Sequence, residues 1–212
     1  MQSKGFTLIE LIITISILAV LVAILVVALN PAEQLARARD TKRVADLDAL
    51  KTAMNLFLAQ ATGTPDLSGD ATANDRCIGG GGTVSFFMNT SAATATIPST
   101  FTSNVTSTAQ TVATNTASQI SKGGSWMPAE VGGTPGGSPI ASLPLDPTNG
   151  TGVSTSSFYG YGCRKSNKTF EFTARLESTY FTADLDLDGT DGGDSSSTYE
   201  TGTDLTIVAP GS

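Results

Sequence analysis

From Phe6 to Leu29 nearly every position is apolar, and the run is broken only by one carboxylate, Glu10, and the hydroxyls of Thr7, Thr14 and Ser16. As a helix rising ~1.5 Å per residue this stretch is about 36 Å long, enough to cross a hydrocarbon core of ~30 Å. It is too long for the apolar region of a cleaved secretory signal, although Val26-Val27-Ala28 has the small residues such a cut would use. Asn30-Pro31 then interrupts the pattern, because proline lacks the helical N–H and disfavours helical geometry at the residue before it. A fresh helix is predicted from Pro31. Leu35, Val44, Leu47, Leu50, Met54, Phe57 and Leu58 recur mostly at three- and four-residue spacing as far as Ala61, while Lys42/Asp46 and Asp48/Lys51 fall on solvated faces. Gly63-Thr64-Pro65 stops this amphipathic helix.

Beyond it the periodicity changes. Residues 66 to 157 are rich in Gly, Ser, Thr, Ala and Pro, most of all from Asn89 to Ser121, and supply few large core side chains. Val84 to Met88 reads as a short strand. Leu143-Pro144-Leu145-Asp146-Pro147-Thr148-Asn149-Gly150 reads as a turn. Phe158 to Cys163 is a strand, and in Thr169 to Glu177 the residues Phe170, Phe172, Ala174 and Leu176 alternate with Glu171, Thr173, Arg175 and Glu177, the mark of a half-buried strand. Arg164 to Lys168 forms the hairpin loop between them, and Leu205 to Val208 supplies a last strand. The expected fold class is α+β: a long amino-terminal helix laid on a small antiparallel sheet.

Composition narrows the chemistry. The chain of 212 residues has a net charge of −7 and no histidine. Nucleic acid is excluded as a direct partner, since phosphate binding needs clustered Lys and Arg. General-base catalysis by imidazole and imidazole-bound metals are excluded as well, so any metal must be held by oxygen. No Ser or Cys stands beside a basic partner in a recognisable motif, and the chain is not expected to be an enzyme. Cys77 and Cys163 are too far apart for a CxxC centre. If this region is exported, a disulfide between them closes a long loop and contributes roughly 4 to 5 kcal/mol in the chain-entropy model; the other reading is a pair of buried free thiols.

Glu10 is the anomaly in the apolar run, because a carboxylate in a membrane helix costs on the order of 3 kcal/mol and calls for a partner. Lys4-Gly5-Phe6-Thr7-Leu8-Ile9-Glu10-Leu11 resembles the processing and methylation motif of type IV prepilins and type II secretion pseudopilins. That resemblance implies a leader over residues 1–5, cleavage by a prepilin peptidase between Gly5 and Phe6, N-methylation of Phe6, and a role for Glu10 in assembly. It further implies a membrane and assembly helix over 6–29, its amphipathic continuation over 30–61 and an exported pilin-like β domain over 62–212 carrying the Ser/Thr-rich insert. The subunit would sit once through the inner (cytoplasmic) membrane with its body outside, contact lipid and an inner-membrane assembly machinery, and self-associate into a helical filament. The amine freed on Phe6 would neutralise Glu10 of a neighbour, an attraction of about 4 kcal/mol at ~4 Å in an effective dielectric of ~20, less the desolvation of the amine. The positive-inside count, Lys4 before the span against Arg37, Arg39, Lys42 and Arg43 after it, points the other way. The motif is shared by surface pilus and secretion pseudopilus. The Asp146-Pro147 turn resembles the loop before the sheet in G-type major pseudopilins, whereas the long Ser/Thr-rich insert suits an exposed pilus surface.

One further segment has candidate chemistry. Asp184, Asp186 and Asp188 followed by Gly189 reproduce the first half of an EF-hand calcium loop, with Thr190, Asp191 and Asp194 as further oxygen donors. The second half fails, since Ser195 stands where a bidentate Glu is expected, and Asp194 or Glu200 would have to substitute. G-type pseudopilins hold calcium in a carboxy-terminal loop, so the resemblance favours calcium as a cofactor; the bland reading is a solvated acidic turn. A different class, a membrane-anchored or secreted calcium-dependent carbohydrate-binding domain, would use Trp126 as its sugar platform.

Overall fold

The computed structural model describes residues 5–61, 65–68, 77, 87–88, 110–111, 126–129, 131–133, 135–148 and 158–207. Helix α1, Leu8–Leu29, starts at Thr7, whose Oγ1 accepts the Glu10 N–H at 3.4 Å. Its apolar side chains from Leu8 to Val26 are exposed on every described side, and Leu8–Val26 is long and apolar enough to cross a membrane. Asn30 closes α1 in the left-handed conformation at φ 40°, which Asn tolerates better than most residues, and its side chain caps the next helix by accepting from Glu33 N. Pro31 then opens α2, Pro31–Gln60, at the one helical position where its missing N–H is harmless.

The stripe that α2 buries comprises Ala36, Asp40, Arg43, Leu47, Leu50, Ala53, Met54 and Phe57. Its lower half is as the sequence predicts. The upper half is not: Leu35 is 62% exposed, and the buried phase runs instead through Ala36 and two charged residues.

Strands β3, Tyr159–Arg164, β4, Thr169–Ala174, and β5, Tyr199–Gly202, form an antiparallel sheet, with β4 central. Two-residue strands β1, Phe87–Met88, and β2, Gln110–Thr111, extend it at the β3 side in the order β2-β1-β3-β4-β5. The rest of the strand predicted over Val84–Met88 lies outside the described residues. Lys165 to Lys168 turn the β3–β4 hairpin, Lys168 taking φ 55°. Alternation sends Phe170, Phe172 and Ala174 to the α2 side, where they meet Leu47, Leu50, Met54, Tyr159, Tyr161 and Trp126 in one core. The α+β arrangement of long helix on small antiparallel sheet is thus the observed fold.

Three boundaries differ from expectation. β4 ends at Ala174, because from Glu177 the backbone N–H groups turn to Asp40 of α2. The last described strand is Tyr199–Gly202 and not Leu205–Val208: Asp204 accepts from the Thr206 N–H and hydroxyl and so bends the chain there, and Val208 is outside the described residues. The acidic segment is not a single open loop. It contains a π-helical turn, Tyr180–Asp184, and a four-residue helix α3, Leu187–Thr190.

Candidate functional site

Gly5, Phe6 and Glu10 sit together at the free end of α1, Phe6 being 85% exposed and Glu10 in the first helical turn. No side chain among the described residues pairs with the Glu10 carboxylate. The arrangement is an accessible peptide bond at Gly5–Phe6 followed by an acid on an otherwise apolar rod that the rest of the described chain does not cover.

Below the rod, α2 is fixed to the body by charge. The fully buried Arg43 donates from Nε to Asp146 Oδ2 at 2.6 Å, from Nη1 to Asp40 Oδ1 at 2.7 Å and from Nη2 to Thr148 Oγ1 at 3.2 Å, and it also pairs with Glu177. Asp40 accepts in turn from the Glu177 and Ser178 N–H groups and, at 2.6 Å, from the Ser178 hydroxyl. About two turns before Asp40, Glu33 accepts from Thr179 N and Tyr180 N, while the Arg37 guanidinium lies 4.6 Å over the Tyr180 ring. Burial opposes ionisation of Asp146, but hydrogen bonds from Arg43 and Thr148 outweigh it and hold the carboxyl below the usual range. Glu177 is lowered likewise: Arg39 and Arg43 overcome its partial burial. The Asp146-Pro147 turn and the segment after β4 are therefore clamped to one helix face. Sequence reasoning assigned no role to Asp40 or Arg43.

The residues proposed from sequence as calcium ligands are spread out. Asp184, Asp186, Thr190 and Asp194 are exposed, and Asp188 is buried. The Thr190 hydroxyl donates to the Asp186 carbonyl at 2.7 Å. Both oxygens of Asp191 are taken by backbone, Oδ1 by Gly193 N and Oδ2 by Glu200 N. Among the described residues no group of three or more His, Cys, Asp or Glu is placed to hold a metal. The backbone here takes a π turn over Tyr180–Asp184 and a left-handed conformation at Asp186, φ 47°. Burial raises the carboxyls of Asp188, Asp191 and Asp194 above the usual range, and Asp186 and Asp191 add to the effect on Asp188. Trp126 is 2% exposed, and its indole N–H donates to the Pro144 carbonyl at 3.0 Å, so it presents no platform for a sugar.

Cys77 and Cys163 are bonded to each other, their Cα atoms 4.8 Å apart, with both side chains buried in the core.

Comparison with known proteins places the amino terminus. Residues 1–26 match the family model described as the prokaryotic N-terminal methylation motif. No curated protein and no solved structure matches the chain. With the motif and the apolar helix Leu8–Leu29 in register, the amino terminus carries a prokaryotic methylation motif on an apolar helix, which is consistent with the type IV pilin and pseudopilin family.

Proposed function

We propose that this chain is the precursor of a structural filament subunit, a pilin or pseudopilin, cut between Gly5 and Phe6, N-methylated on Phe6 and assembled through α1. One observation carries the reading: the methylation motif ends on an apolar helix that nothing described in the chain covers, so the helix needs lipid before assembly and other copies of itself afterwards. In this role the body lies on the extracytoplasmic side, and the chain acts by packing, not by chemistry.

Intact-mass measurement of the protein extracted from membranes tests the reading. Loss of Met1 to Gly5 with addition of one methyl group is the expected result; retention of the leader, or a cut near Ala28, overturns it. A second expected outcome concerns Glu10. The E10Q variant should be processed and inserted normally yet give about tenfold fewer filaments or worse, since even 1.4 kcal/mol of the attraction to the neighbouring amine is worth that factor. Filament yield in a shearing assay, normalised to processed subunit, reads it out.

A further inference from the structure

Apolar side chains gather where the body meets the end of α1. The chain that leaves β4 comes down α2 in two steps: Glu177 and Ser178 donate their N–H groups to Asp40, and Thr179 and Tyr180 donate theirs to Glu33. From Asp40 back to Glu33 the helix falls by about 10 Å toward α1, and the chain descends with it. The π turn Tyr180–Asp184 follows at this lower level, closed by the Leu185 N–H on the Tyr180 carbonyl and held from the helix side by Arg37 over the Tyr180 ring. Leu185 is 47% exposed, and Tyr180 and Phe181, stacked edge to face, are half-buried. Across the helix, about 200° round from Glu33, Leu35 is 62% exposed.

Two features of this apolar group identify its occupant. The first is depth. Glu33 stands about 6 Å along the helix axis beyond Leu29, the last residue of α1, and headgroups occupy about 5–7 Å on each side of the hydrocarbon core. With α1 in the bilayer, the turn and Leu35 fall at the depth where amphipathic rings and long cationic side chains collect, and Tyr180 and Arg37 are of those kinds. The second is that exposed apolar groups stand on both sides of α2 at one level. A protein partner takes one side; a bilayer surrounds the helix. The exposed acids Asp184 and Asp186 keep the turn out of the hydrocarbon, while Glu33 is paired with Arg37. We propose that Leu35 and the turn Thr179–Leu185 seat the body on the headgroup layer of the membrane that α1 spans, fixing the height and tilt of the subunit before assembly. This rests on the filament reading, which places α1 in lipid.

The test puts a single nitroxide on the full-length chain in phosphatidylcholine vesicles and compares its collisions with oxygen, which dissolves in lipid, and with a water-soluble nickel chelate. Cys77 and Cys163 are bonded to each other and take no label. The variants are A19C inside α1, L35C and A183C at the seat, and N55C far along α2, all at exposed positions. A19C should meet oxygen and little nickel, and L35C and A183C should both collide with nickel about threefold less often than N55C. Two labelled sites on separate elements keep the test open if one variant folds poorly. Nickel collisions at L35C and A183C as frequent as at N55C, with A19C still shielded, overturn the seat and leave α1 in the bilayer. Shielding at A183C with L35C open overturns it as well, because that contact is one-sided. So does shielding that falls away as the protein is diluted into more lipid, which belongs to a second copy. Nickel reaching A19C takes the seat down together with the filament reading.

Discussion

Replacing Arg43 with alanine lowers the stability of the body by about 3–5 kcal/mol, measured by urea unfolding of the full-length chain in detergent with the slope unchanged. Arg43 and both its helix and loop acids, Asp40 and Asp146, have side chains 0% exposed. Removing the guanidinium therefore strands two buried carboxylates, and the penalty is chiefly theirs. The attraction itself is a smaller quantity, because burying all three groups already cost desolvation. A variant that also removes a stranded charge and restores volume, R43M/D146L, should regain part of the loss. Acidity should act through the same groups. The folded state lowers Asp146 and Glu177, so their contribution is fully present above the ordinary carboxylate pKa of about 4 and disappears as pH falls through the lower folded values. The wild-type protein should lose stability steeply below about pH 4, and R43A should show a flatter acid limb.

The membrane helix was legible because its signal is additive along the chain, with no partner needed to recognise an apolar run bounded by Asn30-Pro31. The Phe170-to-Leu176 alternation was legible for the same reason, each side chain declaring its face. What failed was phase and partner. Leu35 looked like the start of the core stripe, yet the buried phase 36-40-43-47-50-54-57 passes beside it, and a reader who extended that phase upward from Leu47 would have met Arg43 and Asp40 and been obliged to ask what neutralises them. β5 hid because Tyr199-Glu200-Thr201-Gly202 has an acid and a glycine where a strand is expected to be apolar or branched, and only the Glu171 side of β4 explains them.

The candidate sites divide along the same line. The cleavage motif is linear, so spacing alone carried it. The clamp joins residues 103 apart in sequence, Arg43 and Asp146, and neither is unusual in its own neighbourhood. The acidic segment depends on conformation as well as spacing. The Asp-x-Asp-x-Asp-Gly spacing brings oxygens together only if the backbone wraps, but here Tyr180 and Phe181 stack edge to face over a π turn at its start, and Glu33 of α2 pins that turn by two backbone N–H groups. Glu171 and Thr173 were visible in the alternation as the outward half of β4, where polar residues are read as solvated, and nothing in one sequence signals that this face is buried.

Breaking the Cys77–Cys163 bond should have the other large effect, a loss of roughly 4–5 kcal/mol for the C77A/C163A variant or for the reduced wild type. The bond joins positions 86 apart, and in the chain-entropy model a loop of that length removes much of the unfolded chain's freedom. It also ties a segment containing few large apolar residues to Cys163 on β3, where Phe170 stands opposite in the register. Such a segment has little burial of its own with which to offset its ordering entropy, so the covalent tie matters more here than in a chain with a larger core. Thermal unfolding with and without reductant checks the size of the effect. The same bond offers a test of compartment, because disulfides form outside the reducing cytosol. Protein held in the cytosol by deleting α1 should carry two titratable thiols and unfold at lower denaturant, whereas membrane-extracted protein should carry none; free thiols in the membrane-extracted form would place the body on the cytoplasmic side and remove the topology on which filament assembly depends.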